Sequence, residues 1–183
     1  DQTIQTGRTP QGLYYGTEYT EEMINAALRS EDPLQIVPSV DTDGHGTFVA
    51  SAAAGGAEVG KRFLGAAPEA SIAMVKLKPA KNYLKEFFVI AQDAVCYQEN
   101  DIMLGLRYLN DLARKQGMPL VICVALGTSF GGHNGDSLLA DILDIYATVR
   151  NRCVVVGTGN EAARRHHYFN RFTDAQDMRT AEI

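Results

Sequence analysis

The sequence predicts an α/β fold with a mainly parallel sheet, and three observations predict it. Residues 120–126 and 153–156 are continuous apolar runs rich in β-branched side chains, as strands covered on both faces would be. Segments of 3.6-residue apolar spacing precede and separate them. Strands alternating with helices imply right-handed βαβ units around parallel strands.

The elements follow in order. Residues 1–19, rich in Thr, Gly, Gln and Tyr and without sustained period, read as an irregular surface segment. Thr20 can cap a short helix carrying Met23, Ile24, Ala27 and Leu28 on one face, with Glu21 and Glu22 favourably placed in its first turn and an end before Pro33. Residues 34–37 read as a short strand or an extended linker. His45 then opens a segment of small residues closed by Gly55 and Gly56, which reads as a buried, tightly packed helix. Residues 71–77 form a short apolar run expected to be a strand. Residues 100–116 place Ile102, Leu106, Leu109 and Ala113 on one helical face, with Gly117 as the stop. After the strand at 120–126 comes a glycine-rich loop, 127–135, then a helix capped by Asp136 and running to Arg150, and last the strand at 153–156, which ends in Gly157-Thr158-Gly159-Asn160.

Composition narrows the function. With 183 residues, 45% hydrophobic and 21% charged, the chain has the make-up of one globular domain with a buried core. A net charge of −5 and no basic cluster beyond Arg164-Arg165 give a nucleic acid or an anionic membrane little to bind. No apolar run approaches the ~18 residues of a membrane span. The three cysteines, Cys96, Cys123 and Cys153, are an odd set, expected to be buried thiols and not a disulfide framework. The chain begins without a methionine on polar residues, shows no signal peptide, and reads as a piece of a longer protein.

Three segments in order, Asp43-Gly44-His45-Gly46-Thr47-Phe48-Val49-Ala50-Ser51, Gly65-Ala66-Ala67-Pro68-Glu69-Ala70 and Gly157-Thr158-Gly159-Asn160-Glu161, resemble the subtilase (S8) serine peptidase family. They match its histidine motif, the entry to a core strand, and its oxyanion-hole Gly-Asn. Residues 13–20 and 93–102 are similar, more narrowly, to the clostridial Csp type of germination protease. The resemblance implies a three-layer αβα subtilisin-like domain, truncated at both ends: a family-specific segment over 1–40, the βαβ core over 41–161, and a polar tail over 162–183. It also implies a secreted or spore-associated protein.

The chemistry assigns roles. A histidine that takes and returns the serine proton must lie within hydrogen-bond reach of the hydroxyl, and His45 is the candidate. Asn160, at the end of a buried strand, is the candidate donor to the oxyanion of the tetrahedral intermediate. Ala125, Leu126 and Gly127 resemble the substrate-pairing segment, in which main-chain groups bind an extended peptide; the family has Ser-Leu-Gly or similar, so Ala125 departs without touching the pairing groups. Gly157, Thr158 and Gly159 would line the pocket for the residue before the scissile bond. Ser129 in Gly127-Thr128-Ser129 imitates the nucleophile motif but precedes Asn160 and leads into loop, so it is refused. No Asp-Ser/Thr-Gly segment precedes His45, and Asp1, Asp32, Asp41 and Asp43 lie in polar surroundings. The triad aspartate and serine are therefore expected outside this chain, which alone should not cleave peptides.

The weaker constellations are bland. Asp41-x-Asp43-x-His45, His133 and the adjacent His166-His167 lack a second cluster at metal-ligand spacing. No metal and no cofactor is expected, and a structural calcium is not evident. Residues 164–168 read as a solvated loop. The expected partner is a protein or peptide substrate, with self-association of the truncated piece through exposed apolar surface. The alternative function is a pseudoprotease that binds or signals in spore germination.

Overall fold

A computed structural model describes residues 1–56, 63–164 and 171 of the chain, which divides into two units, Asp1–Met118 and Pro119–Ile183. The fold is α/β, with helices and a parallel pair of strands.

In the first unit, α1 (Glu21–Arg29) begins where Thr20 Oγ1 accepts the Met23 N–H at 3.5 Å, and Glu21 and Glu22 occupy its first turn. It stops at Ser30, before Pro33 as expected. Residues 33–35 are a 3₁₀ turn and not the strand or linker expected at 34–37, because Pro33 presets φ and its carbonyl accepts the N–H groups of Ile36 and Val37 at 3.2 and 2.9 Å. Helix α2 (His45–Ala54) follows. A short helix, α3 (Asn82–Phe87), was not anticipated. Its buried Lys85 points Nζ at the carbonyls of Gln92 and Ala94, 2.8 and 2.7 Å away, and so ties down the loop after it. The longest element, α4 (Glu99–Gln116), has the predicted face: Leu106 and Ala113 are buried, and Gly117 ends it at φ +67°.

Residues 71–77, expected to be a strand, form no ladder. Among the described residues the only bridge nearby pairs Pro79 with Tyr97. Extended backbone becomes sheet only when a neighbour takes up its N–H and C=O groups, and here the neighbour is a single residue. Gln2 donates its N–H to Lys76 O at 2.9 Å, while its side-chain carbonyl accepts the Lys78 N–H at 3.2 Å.

Gln2 introduces a second correction. Residues 1–19 are irregular, yet several are buried, and Thr17 at 1% exposure is the most enclosed side chain in the unit. Polar side chains anchor this segment on α4. Gln2 Nε2 donates to Asp101 O at 2.8 Å, the Tyr15 hydroxyl donates to the Asp101 carboxylate, and Tyr108 donates its hydroxyl to Glu18 at 3.0 Å. Asp101 is 4% exposed and also pairs with Lys78, whose Nζ lies 4.1 Å from the centre of the Tyr15 ring.

The second unit is one βαβ arrangement. β1 (Leu120–Val124) and β2 (Arg152–Val156) pair in parallel, with register from Leu120↔Arg152 to Val124↔Val156. Helix α5 (Leu138–Thr148) connects them and packs on β2. Its cap is Ser137, whose Oγ accepts the Ala140 N–H at 3.1 Å, and not Asp136; it ends two residues before the expected Arg150. Leu120, Ile122 and Val124 share one face of the sheet, while Val121 and Cys123 share the other. Ile122 is buried at 2% exposure, but Val121 is 69% exposed. The expectation of strands covered on both faces is therefore not met among the described residues of this unit, whose helix lies along one face only. The cysteines follow suit, with Cys123 and Cys153 exposed, Cys96 half-buried and all three free thiols. No described helix is long and apolar enough to cross a membrane.

Two outcomes are expected. Asp101→Ala leaves the Lys78 charge without its carboxylate and removes the acceptor of the Tyr15 hydroxyl, so urea unfolding should show a loss of about 3–5 kcal/mol, the usual cost of breaking a buried pair. Burial, and then the bond to Glu18, push the Tyr108 hydroxyl from 10.0 up to about 12. Because the folded value is the higher one, this contribution to stability is complete below pH 10 and is lost as pH rises towards 12. Unfolding midpoints measured across that interval should fall, and those of Tyr108→Phe should fall less.

Candidate active site

One group of candidate residues, in the first unit, is α2 and the turn before it. Asp41 Oδ1 accepts the N–H groups of Asp43 and Gly44 at 3.2 and 2.8 Å, and Oδ2 accepts the Thr47 N–H at 2.9 Å and its hydroxyl at 2.6 Å. Asp43 Oδ1 takes the His45 N–H at 3.2 Å. The first N–H groups of a helix have no internal partner, and here two aspartates supply it. Asp41 is held well below the usual carboxylate range, chiefly by the Thr47 hydroxyl and then by the Gly44, Thr47 and Asp43 N–H groups. A depressed carboxyl stabilises the folded turn above its unfolded value and releases it only as pH falls through the folded one, so the turn is in place throughout neutral and mildly acidic solution.

The far end of α2 is closed by the second motif. The N–H groups of Gly65, Ala66 and Ala67 donate to the carbonyls of Gly55, Ala52 and Ala53 at 2.9, 3.2 and 2.8 Å, which fills acceptors that a helix end leaves open. Gly65 must lack a side chain, because a Cβ there would lie 2.5 Å from Gly55 N and 2.9 Å from Ala54 N and Ser51 O. Between these tied ends, α2 is not the buried helix the small residues predict. None of its residues is buried and Phe48 is 72% exposed, since the described residues of this unit place no element over it. Gly46, expected to allow close packing, faces only Asp41 Oδ2, 3.6 Å from where its Cβ would be. The His45 ring is exposed and makes no hydrogen bond to a described residue.

A second group, in the second unit, lies at the carboxyl ends of β1 and β2, where open α/β sheets bind ligands. Register places Val124 beside Val156, so both chains leave the sheet together. Gly157 donates its N–H to Val124 O at 3.1 Å, and a Cβ on Gly127 would meet Gly159 Cα at 3.4 Å. Ala125, Leu126 and Gly127 thus run beside Gly157, Thr158 and Gly159, with Asn160 at the exit. Gly159 has φ +83°, which a side chain rarely adopts, and this turn points the next residue out of the strand direction. Asn160 is exposed, and the Glu161 carboxylate accepts its backbone N–H at 2.8 Å. Ser129 lies in coil and opens no helix.

Asp41, Glu161 and the 65–67 closure were not read from the sequence as parts of the site. An Asp two or three residues before a glycine at a helix start is a turn and cap signal, and that signal could have found Asp41. Among the described residues no three His, Cys, Asp or Glu side chains group as metal ligands, and Asp41 and Asp43 are occupied by backbone N–H groups. His166 and His167 lie outside the described residues.

Gly65→Ala sets a methyl group against the backbone of α2 and should destabilise the chain by about 1–3 kcal/mol. The check is faster amide exchange at positions 65, 66 and 67 than in the parent chain.

Comparison with known proteins identifies the family. The family model described as the subtilase family, Peptidase S8, matches residues 17–178. Among solved structures, the CspB protease of Clostridium perfringens is 35% identical, with a TM-score of 0.63 over 75% of this chain and 27% of that one. The chain thus spans about a quarter of the length of that protease. No curated protein matches it. The ordered motifs, the parallel strands and the match over most of the sequence show that the chain belongs to the subtilase family.

Proposed function

We propose that the complete protein carrying this chain is a serine endopeptidase of the subtilisin type, which hydrolyses peptide bonds of protein substrates through a Ser-His-Asp triad. His45 acts as the general base and then the general acid, and Asn160 donates its side-chain amide to the oxyanion. The observation that carries this reading is the juxtaposition of 125–127 with 157–160 at the carboxyl edge of β1 and β2. That edge offers extended main chain for a peptide and a side-chain amide at its end. An extended substrate adds as a strand along 125–127, whose peptide groups pair it, so the departure at Ala125 leaves binding unaltered. The substrate residue before the scissile bond lies against Gly157, Thr158 and Gly159.

The triad aspartate and serine are contributed by parts of the protein outside this chain, which is inactive by itself. No metal or cofactor enters the reaction. The exposed apolar side chains of α2 and of the bare sheet face, Phe48, Val121 and Val155 among them, support self-association of the 183-residue piece. Light scattering should show its mass rising with concentration, and a monomer at high concentration would count against that.

A fluorophosphonate probe should label the complete protein at one serine and leave the 183-residue chain unlabelled. Asn160→Ala should cut turnover about 10²–10³-fold with little change in KM, a magnitude taken over from subtilisin. A folded complete protein that takes no label would instead be a binding or signalling module on the same scaffold.

A further inference from the structure

We propose that Asp41 is a positioning residue for His45: its carboxylate fixes the turn and first helical turn from which the imidazole projects, without touching the ring. The inference rests on the proteolytic role given to His45 above.

The geometry carries it in three steps. Asp41 accepts four hydrogen bonds, and these bracket His45 in the chain, with the Asp43 and Gly44 N–H groups before it and the N–H and hydroxyl of Thr47 after it. The carboxylate thus spans the residue it positions. Second, packing does not do this work within the unit, since α2 has no buried residue and the 72% exposed Phe48 is its largest side chain. A ten-residue helix is marginal in water without support, and its first turn is where it frays. Third, the bond pattern demands an ionised carboxylate. All four partners donate, two to each oxygen, and three of them are backbone N–H groups that cannot accept, so in either orientation an asparagine would set its NH₂ against at least one of these N–H groups. Asp41 makes no hydrogen bond to the imidazole, which separates it from the triad aspartate.

A shift of about 1 Å in a reacting group can cost roughly 10²-fold in rate, so loosening this turn should lower the rate of the chemical step and not substrate binding. In the complete protein, Asp41→Asn should reduce kcat about 10–100-fold with KM changed less than about twofold. Thr47→Val, which deletes one of the four bonds, should fall between Asp41→Asn and the parent, and Thr47→Ser, which keeps the hydroxyl, should restore the parent rate.

Fluorophosphonate labelling separates positioning from folding. A positioning role slows the rate constant of labelling while all molecules still react; a role in stability alone lowers the labelled fraction and leaves the rate constant intact, which would overturn the proposal. So would an Asp41→Asn protein with parent kcat. Should the complete protein take no label at all, the proteolytic reading fails separately. Positioning is then read from the NMR signals of the His45 ring in this chain: Asp41→Asn should shift or broaden them, and unchanged signals would refute the proposal.

Discussion

The peptide groups that a helix leaves unpaired at its two ends govern the histidine-bearing part of this molecule. Helix α2 has no buried residue within its unit to hold it, so its ends carry the load. At the start, the carboxylates of Asp41 and Asp43 take up the N–H groups of residues 43, 44, 45 and 47; at the finish, the N–H groups of residues 65–67 meet the carbonyls of residues 52, 53 and 55. Two motifs separated in the sequence are thus one structural device. The histidine motif supplies the helix, and the Gly-Ala-Ala-Pro motif closes it. Gly65 has no side chain for the same reason, because the closure brings backbone against backbone.

The second unit follows a different constraint, the register of two parallel strands. Once Val124 lies beside Val156, the residues that continue each strand must leave the sheet side by side, and 125–127 adjoin 157–160 with no further instruction. Parallel strands place all their carboxyl ends at one edge, which is why chemistry-bearing loops gather there. The turn at Gly159 and the Glu161 carboxylate on the Asn160 N–H then set the backbone from which the side-chain amide projects.

Much of this was legible. The alternation of apolar runs and helical spacing yields α4, α5, β1 and β2 within a few residues, because hydrophobic period and glycine stops are local properties of the chain. Thr20 reads correctly as a cap for the same reason. The errors cluster where a partner decides. Residues 71–77 have strand composition, but only Gln2 pairs with their end, so no ladder forms. Residues 1–19 look like a surface loop, yet Gln2 and Tyr15 are drawn inward by bonds to Asp101, far along the chain, and Thr17 is enclosed by bonds to Asp1, Ile4 and Gly7 of the same segment. The cap of α5 fell one residue later than expected, since Asp136 and Ser137 are both competent and only geometry chooses.

By itself the sequence determined the family, the α/β class and the elements α1, α2, α4, α5, β1 and β2, and it offers His45 and Asn160 as candidates, because each depends on residue type and short-range spacing. Only the tertiary structure decided what stands around them. It showed that Asp41 serves the backbone and not the imidazole, that Gly65 seals α2, that 125–127 and 157–160 are neighbours, and that the faces expected to be buried are open within their units. The physical reason is the same throughout. A hydrogen-bond acceptor or an apolar face states what it needs in the sequence, but which donor or neighbour meets that need is fixed by residues distant in the chain, and those come together only in the fold.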